Sequence, residues 1–244
     1  MSQASIYGDV SKYYDMMYVN DETYKAEIDK VNTIVARYKV SNGTTLLDIA
    51  CGTGAQAAHF QNYYEVTGID LSEDMLRAAR SKVKSAAFIK ADMCDFDLGR
   101  QFDVIVNLYG SIGYAESVER LRSAMDCAYK HLKSGGVFIL TPWSTKESFN
   151  AGLVTKSRSK DLSGFCRMET VKRLSDDRVS VEMHHLIAVE LNVTYHKHTE
   201  IISLFSEDEY INSIQSAGFK IVERLSPDDF RMGAFVCAGG SHGI

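Results

Sequence analysis

The chain has 244 residues, 45% hydrophobic and 24% charged, with 27 Lys and Arg against 32 Asp and Glu and a formal net charge of -5. Such a chain is long enough to bury its own core, and without a run of Lys or Arg it lacks the basic footprint of a nucleic-acid binder. No apolar run can span a bilayer, Met1 to Tyr18 carries Asp9, Lys12 and Asp15 where a signal peptide has an apolar core, and five cysteines with no C-x-x-C read as reduced thiols, so a cytoplasmic location is expected.

In chain order, Asp9 to Tyr38 reads as helical, with Ile28, Val31, Ile34, Val35 and Tyr38 at helical spacing. Ser41-Asn42-Gly43 ends it. Thr44 to Ala50 is a short apolar strand, Gly52-Thr-Gly54 a turn, and Ala55 to Tyr63 a helix. Glu65 to Asp70 is a second strand, followed by a helix capped by Ser72 with Glu73 and Asp74 in its first turn. Ala86 to Lys90 and Phe102 to Leu108 are further strands. Ser117 to Leu132 is a helix and Val137 to Thr141 a fifth strand. This alternation implies right-handed crossovers and a parallel sheet covered on both faces.

From Ala151 to Phe205 the pattern changes to a two-residue alternation, as in Val179-Ser-Val-Glu-Met-His184, which predicts a small antiparallel sheet. Ser206 with Glu209 forms a capping box for a helix that Gly218 ends. Phe219 to Arg224 and Ala234 to Cys237 close the main sheet. The expected organisation is a Rossmann-like α/β domain from 1–150 plus 206–244, with a mixed seven-stranded sheet, and an inserted β subdomain at 151–205 on the substrate side.

Gly52-Thr-Gly-Ala-Gln-Ala57 fits the dinucleotide pattern G-x-G-x-x-G/A, between a strand and a helix whose free N–H groups suit a pyrophosphate. Three strand ends point elsewhere. Asp48 stands four residues before the first glycine, where a carboxylate suits a cationic ligand and opposes a pyrophosphate. Asp70 can accept hydrogen bonds from two ribose hydroxyls, and Asp92-Met93 can read an adenine edge. Together they indicate S-adenosylmethionine rather than a nicotinamide cofactor. His184, His185, His196 and His198 cluster in sequence, but no Cys joins them at metal-site spacing and no metal is expected.

Leu47-Asp-Ile-Ala-Cys-Gly-Thr-Gly54, Gly68-Ile-Asp-Leu-Ser-Glu-Asp-Met-Leu76, Ala91-Asp-Met-Cys-Asp-Phe96 and Leu98-Gly-Arg100 resemble the bacterial methyltransferases that N,N-dimethylate nucleotide-linked 3-amino deoxysugars. Tyr14-Asp15, Ser111-Ile-Gly-Tyr114, Pro142-Trp143, Ser203-Leu-Phe205 and Gly233-Ala-Phe235 extend the resemblance over nearly the whole chain. It implies a class I methyltransferase fold and a small-molecule acceptor, most simply a dTDP-linked amino sugar. Other small natural-product amines, hydroxyls or heterocycles stand as alternatives, as does a non-catalytic binder of the cofactor.

The resemblance also implies roles. The Asp48 loop, with Ala50, Gly52, Gly54 and the backbone near Leu108, would hold the methionine end of the cofactor, and Tyr24 would sit near its carboxylate. Asp70, with Leu71 and Met75, would bind the ribose side, and Asp92 and Met93 the adenine. Tyr14 and Tyr114 would be catalytic and, with Ser111 and Trp143, touch the acceptor. Tyr114 stands where some relatives carry a histidine beside the amine. Arg231 would bind the diphosphate, although it is displaced by about one residue from the family pattern and Asp228-Asp229 adds negative charge beside it. Since the methyl arrives activated, positioning can supply much of the rate, and no obligatory strong base is expected. Homodimerisation stands open.

Overall fold

The computed structural model describes residues 13–239. Asp9 and Lys12, in the first expected helical stretch, lie outside the described residues. The rest of that stretch forms two helices rather than one, α1 (Tyr14–Tyr18) and α2 (Asp21–Tyr38). The chain extends at Val19 and Asn20, and the Asn20 side chain caps α2 by accepting from Thr23 N–H at 3.1 Å. An Asn whose side chain satisfies a first-turn donor starts a new helix at low cost, and periodicity alone does not reveal that break.

The main sheet contains β1 (Thr45–Ile49), β2 (Glu65–Asp70), β3 (Ala87–Lys90), β4 (Phe102–Asn107) and β5 (Leu132–Leu140), with β10 (Phe219–Leu225) and β11 (Ala234–Gly239). Between them lie α3 (Ala57–Phe60), α4 (Glu73–Lys82), α5 (Val118–His131) and α6 (Glu207–Ser216). Strand order is β10-β11-β5-β4-β1-β2-β3. The first five strands run parallel, while β11 is antiparallel to both β5 and β10. The sheet is therefore mixed, as expected for the Rossmann-like class.

Apolar runs in the central strands place successive side chains on opposite faces, each covered by helices. Leu47 and Ile105 join a core with α5 and α6, while Leu46 and Val104 join one with α2 and α4. Ser72, Ser117 and Ser206 cap α4, α5 and α6, and Ser206 with Glu209 completes the expected capping box. The expected helix from Ala55 to Tyr63 shrinks to α3, a single turn flanked by irregular backbone.

The second sheet is antiparallel, in order β6 (Gly152–Lys160), β7 (Ser163–Ser175), β8 (Arg178–Val189) and β9 (Asn192–Ser203). Its register sets Lys156, Arg167 and His185 side by side on one face, with Glu200 opposite Val181 on that same face. Val179, Val181, Met183 and Ile202 on this face pack with Trp143 and Tyr114. Gly113 is where that contact is tightest: a Cβ there would come within 2.7 Å of Ile202 Cγ2, so a side chain would push the sheet off the turn that carries Tyr114.

Asp103 anchors the amino end of the main sheet. It is fully buried and accepts from Gly43 N–H at 3.1 Å, Thr45 N–H at 3.0 Å, the Thr45 hydroxyl at 2.7 Å and Lys133 Nζ at 2.8 Å. Burial pushes its carboxyl up, but the hydrogen bonds from Lys133 and Thr45 outweigh that and hold it well below the usual carboxylate range. Asp103→Asn is expected to cost at least about 2 kcal/mol in urea unfolding, since charge-assisted hydrogen bonds each carry about that much. With a folded value below the unfolded one, this stabilisation is complete above about pH 4 and is lost as pH falls through the folded value. The wild-type advantage over the variant should therefore shrink in acid, and an advantage that grew instead would contradict the assignment.

Candidate active site

The chain passes from β1 to β2 and β3 on one side of the sheet, then returns to β4 and β5 on the other. In such sheets the crevice beyond the carboxyl ends at the reversal is where ligands bind. Here that crevice lies between the ends of β1 and β4, where Asn107 Nδ2 donates to the Ile49 carbonyl at 3.3 Å.

The glycine loop follows β1. Ala50, Gly52 and Gly54 all have positive φ, at 60°, 53° and 70°. A Cβ on Gly52 would meet no protein atom within 4 Å, so this backbone faces open space. Gly54 serves differently: it lines neither cleft, and a Cβ there would press on Ala79 Cβ at 3.0 Å and Phe88 at 3.3 Å, so its smallness lets the loop lie on α4. Asp70 closes the loop from the neighbouring strand. One of its oxygens accepts from Gly52 N–H and the other from Ser72 N–H, both at 2.8 Å. Two backbone donors leave a carboxylate free lone pairs for a ligand. Burial raises its pKa, against the opposing pull of the Ser72 and Gly52 N–H groups.

Asp48 lies beneath the loop and lines neither cleft. It is 1% exposed, and neither carboxylate oxygen has a hydrogen-bond partner among the described residues. Burial, reinforced by Asp70, pushes its pKa up to about 8. A buried carboxyl in this state gains most from a cationic ligand group. With the open Gly52 backbone and the spare acceptors of Asp70, these residues suit the ammonium, backbone and ribose of S-adenosylmethionine.

Two clefts meet here. The narrower, of about 150 Å³, runs past Asp70, Leu71, Met75, Asp92 and Met93. The wider, of about 950 Å³, opens between α1, α2 and the second sheet, past Tyr24, Leu108, Trp143 and Arg231. Tyr14, Ala50, Gly52, Ser111 and Tyr114 line both, so they stand at the junction.

Asp92 ends the narrow cleft tied to protein donors. It accepts from Arg120 Nη2 at 2.8 Å and from Cys94 N–H at 2.9 Å. Burial raises its carboxyl, but these bonds prevail and hold it low. Arg120 also lines this cleft, and no strand-end motif flagged it. Asp15 stood in the sequence only as part of the Tyr14-Asp15 match, with no role of its own. It accepts from the Thr53 hydroxyl at 2.5 Å and pairs with Lys82 at 2.5 Å, which docks α1, and so Tyr14, against the glycine loop.

The wide cleft is polar and largely cationic. Lys156, Arg158 and Arg167 enter it from the second sheet and Arg231 from the opposite wall. Burial lowers the Lys156 pKa, and the nearby Arg167 and Arg231 lower it further, so the site disfavours a further positive charge and suits an anion. Arg231 lies 5.0 Å over the Tyr109 ring, which stacks at 5.0 Å on Tyr24. Asp228 and Asp229 do not line the cleft, and the Asp229 carboxylate accepts from Ser226 Oγ at 2.7 Å. The negative pair that clouded Arg231 in the sequence thus stands outside the cleft that Arg231 lines.

Glu200 is the largest surprise. It is 3% exposed, lines the wide cleft and accepts a hydrogen bond from the Tyr114 hydroxyl. On β9 it shares a face with His198, and nothing in the sequence says which face meets the cleft.

A sheet of this order, with a glycine loop at its reversal and a carboxylate at the end of the next strand, defines a class I methyltransferase. A family model described as methyltransferase domain matches residues 46–136. The dTDP-3-amino-3,4,6-trideoxy-alpha-D-glucopyranose N,N-dimethyltransferase of Streptomyces venezuelae is 32% identical over 236 residues, 93% of this chain and 97% of that protein. The dTDP-3-amino-3,6-dideoxy-alpha-D-glucopyranose N,N-dimethyltransferase of Streptomyces fradiae is 30% identical, over 90% of this chain and 87% of its own. The crystal structure of Streptomyces venezuelae DesVI superposes with a TM-score of 0.85 at 29% identity, covering 98% of this chain and 99% of that one. The sugar N-methyltransferase KedS8 of Streptoalloteichus gives 0.81 at 30%, with 98% of each chain covered. The chain belongs to this family of S-adenosylmethionine-dependent sugar N,N-dimethyltransferases. The dinucleotide reading of the glycine loop falls with that finding. No helix among the described residues is long and apolar enough to cross a membrane.

A protonated Asp48 must ionise when a cationic group docks beside it. Binding of S-adenosylmethionine at pH 7 is therefore expected to release a proton, and affinity should rise from about pH 6 to about pH 7, until the ligand's own ammonium begins to lose its proton. Calorimetry in buffers of different ionisation enthalpy reads this directly. Release that persists undiminished in Asp48→Asn would contradict the role.

Proposed function

We propose that this enzyme N-methylates the amine of a nucleotide-linked amino deoxysugar. The observation that carries this is the wide cleft, which joins the cofactor cleft at Tyr14 and Tyr114 and holds Lys156, Arg158, Arg167 and Arg231. A sugar nucleotide carries a diphosphate, a flat base and a small polar ring. The guanidinium of Arg231 and the ammonium of Lys156 match the first. The stacked tyrosines and Trp143 offer apolar faces for the others, the mixed character of a small-molecule site. The relatives named as acting on dTDP-amino sugars support the same acceptor.

In this reading Asp70 holds the ribose, Leu71 and Met75 flank it, and Asp92 with Met93 faces the adenine. Ala50, Gly52 and the backbone at Leu108 approach the methionine end, Asp48 answers its charge, and Tyr24 stands on the wide-cleft side of that end. Gly54 keeps the loop pressed to α4. When bound, S-adenosylmethionine supplies a methyl group on a sulfonium, already activated for transfer. The chain's task is then to hold the acceptor nitrogen in line at the junction, which Tyr14, Ser111 and Tyr114 line, with α1 and the second sheet as walls against water.

Incubating the enzyme with S-adenosylmethionine and dTDP-3-amino-3,6-dideoxyglucose should give mono- and dimethylated products by mass spectrometry. Arg231→Ala and Lys156→Ala should each raise KM for the sugar nucleotide about ten-fold or more, since a charge-assisted hydrogen bond carries about 1.5–3 kcal/mol. KM for the methyl donor should stay within about two-fold, because neither side chain lines the narrow cleft. An enzyme that ignores sugar nucleotides and methylates an uncharged phenol or heterocycle would overturn the proposal.

A further inference from the structure

An amine acceptor at neutral pH is mostly an ammonium, whose lone pair is taken by a proton. Before it can attack, that proton must leave, and the group that takes it must stand at the junction of the two clefts. Tyr114 stands there, on the turn Ser111–Ala115 after β4. Its hydroxyl donates to Glu200 Oε2 on β9.

Glu200 is buried in the wall of the wide cleft. Its face of the second sheet turns to the cleft, since Val171 and Val181, its neighbours in register, line the cleft as well. A carboxylate this deeply buried is costly unless a cation or a proton answers it. On its other oxygen, His198 Nε2 lies 3.7 Å away. His198 stacks on His185 with ring centres 5.1 Å apart and planes 8° from parallel. Burial pushes both imidazoles down, His185 to about 4, with Arg167 acting the same way on each. At neutral pH they are therefore uncharged. Tyr14 and Tyr18 of α1 face Glu200 as neutral phenols, each raised above its ordinary value chiefly by burial. From β7, Arg167 pairs with Glu169 at 2.9 Å.

We propose that Glu200, acting through the Tyr114 hydroxyl, takes the proton from the acceptor ammonium. The inference rests on the amino-sugar reading above. As an N–H bond of the ammonium breaks, its proton joins the Tyr114 oxygen, and the O–H proton of Tyr114 passes to Glu200 Oε2. The nitrogen keeps the electron pair, Tyr114 ends neutral as it began, and ammonium and carboxylate become amine and carboxylic acid. Two buried opposite charges are replaced by two neutral groups, which a site shielded from water favours. Loss of that proton to water on product release resets Glu200. The methylated ammonium left by one transfer carries the same N–H bond, so the same pair serves a second transfer. Glu200 is in this sense a positioning residue and proton acceptor that acts through Tyr114.

The test uses the full chain with S-adenosylmethionine and dTDP-3-amino-3,6-dideoxyglucose, followed from about pH 5 to about pH 10. Wild type, Glu200→Gln, Glu200→Asp and Tyr114→Phe are compared, with melting curves and S-adenosylhomocysteine affinity as controls. At pH 7, Glu200→Gln and Tyr114→Phe should lose about 10²-fold in kcat, the usual scale for a positioned proton acceptor. Their acid limbs should move to higher pH, the curves should approach wild type where the free amine predominates, and Glu200→Asp should recover part of the loss. Without turnover, calorimetry on the S-adenosylhomocysteine complex should show wild type preferring the amino sugar to its 3-hydroxy counterpart at pH 7, and Glu200→Gln losing that preference about ten-fold. If wild type methylates the amino sugar and both variants follow its pH profile in parallel, the relay is wrong while the acceptor stands. If wild type neither binds nor methylates it, the acceptor reading fails and takes the relay with it. Should Glu200→Gln not melt cooperatively, Tyr114→Phe alone decides between these outcomes.

Discussion

The hydrogen bond from Gly52 N–H to the Asp70 carboxylate holds the site in place. It joins the loop after β1 to the end of β2, two strands already paired in parallel register up to Ile49 and Ile69. It acts with the Cys51 N–H bond to the Ile69 carbonyl at 2.9 Å and the Gly54 N–H bond to the Cys51 carbonyl at 3.0 Å to select one conformation for a loop with three residues at positive φ. With these bonds, the Gly52 backbone is presented to open space, Asp70 keeps acceptors to spare, and Asp48 is sealed beneath as a buried carboxyl that a cation can ionise. The other oxygen of Asp70 holds Ser72 N–H, so the same side chain also starts α4. One carboxylate thereby ties the loop to the start of the helix.

Everything on the acceptor side is arranged around that fixed loop. Asp15 reaches Thr53 and Lys82, which brings α1 and Tyr14 over the junction. The turn after β4 brings Ser111 and Tyr114, and Gly113 lets β9 approach closely enough for Glu200 to accept from Tyr114. The second sheet then presents two chemistries on one face. Glu200 stands near the junction, and Lys156 and Arg167 stand together in a separate row of the register. A ligand with an ammonium at one end and a diphosphate further along matches that order of charges. Uniform positive charge would repel the amine, and uniform negative charge would repel the phosphates.

The glycine loop and the strand ends around it were legible in the sequence because their signals are local. Strand ends, the glycine spacing and the Ser caps each act within a few residues, and Asp48, Asp70 and Ser72 stand where their spacing put them. The acceptor half was legible only in outline. The two-residue period from Val179 to His184 gives a sheet and tells which residues share a face, but the choice of face is made by packing against Tyr114 and Trp143. Lys156, Arg158, Arg167 and Glu200 stayed hidden for that reason. The roles of Arg120 and Asp15 were missed because their partners are 28 and 38 residues away. Arg231 was visible, but its neighbours Asp228 and Asp229 suggested a spoiled phosphate site. The Ser226 hydroxyl draws Asp229 back into its own turn, a local hydrogen bond that spacing alone does not disclose.

The central claim is that one junction, at Tyr14, Ser111 and Tyr114, joins a cofactor cleft to a cationic acceptor cleft. The most direct test is a crystal structure of the enzyme with S-adenosylhomocysteine and a dTDP-linked 3-amino sugar. The account predicts the ribose on Asp70, the diphosphate between Lys156 and Arg231, and the amino nitrogen beside the Tyr114 hydroxyl, facing the homocysteine sulfur. A sugar nucleotide bound with its amine away from that sulfur, or its phosphates clear of both basic side chains, would contradict it.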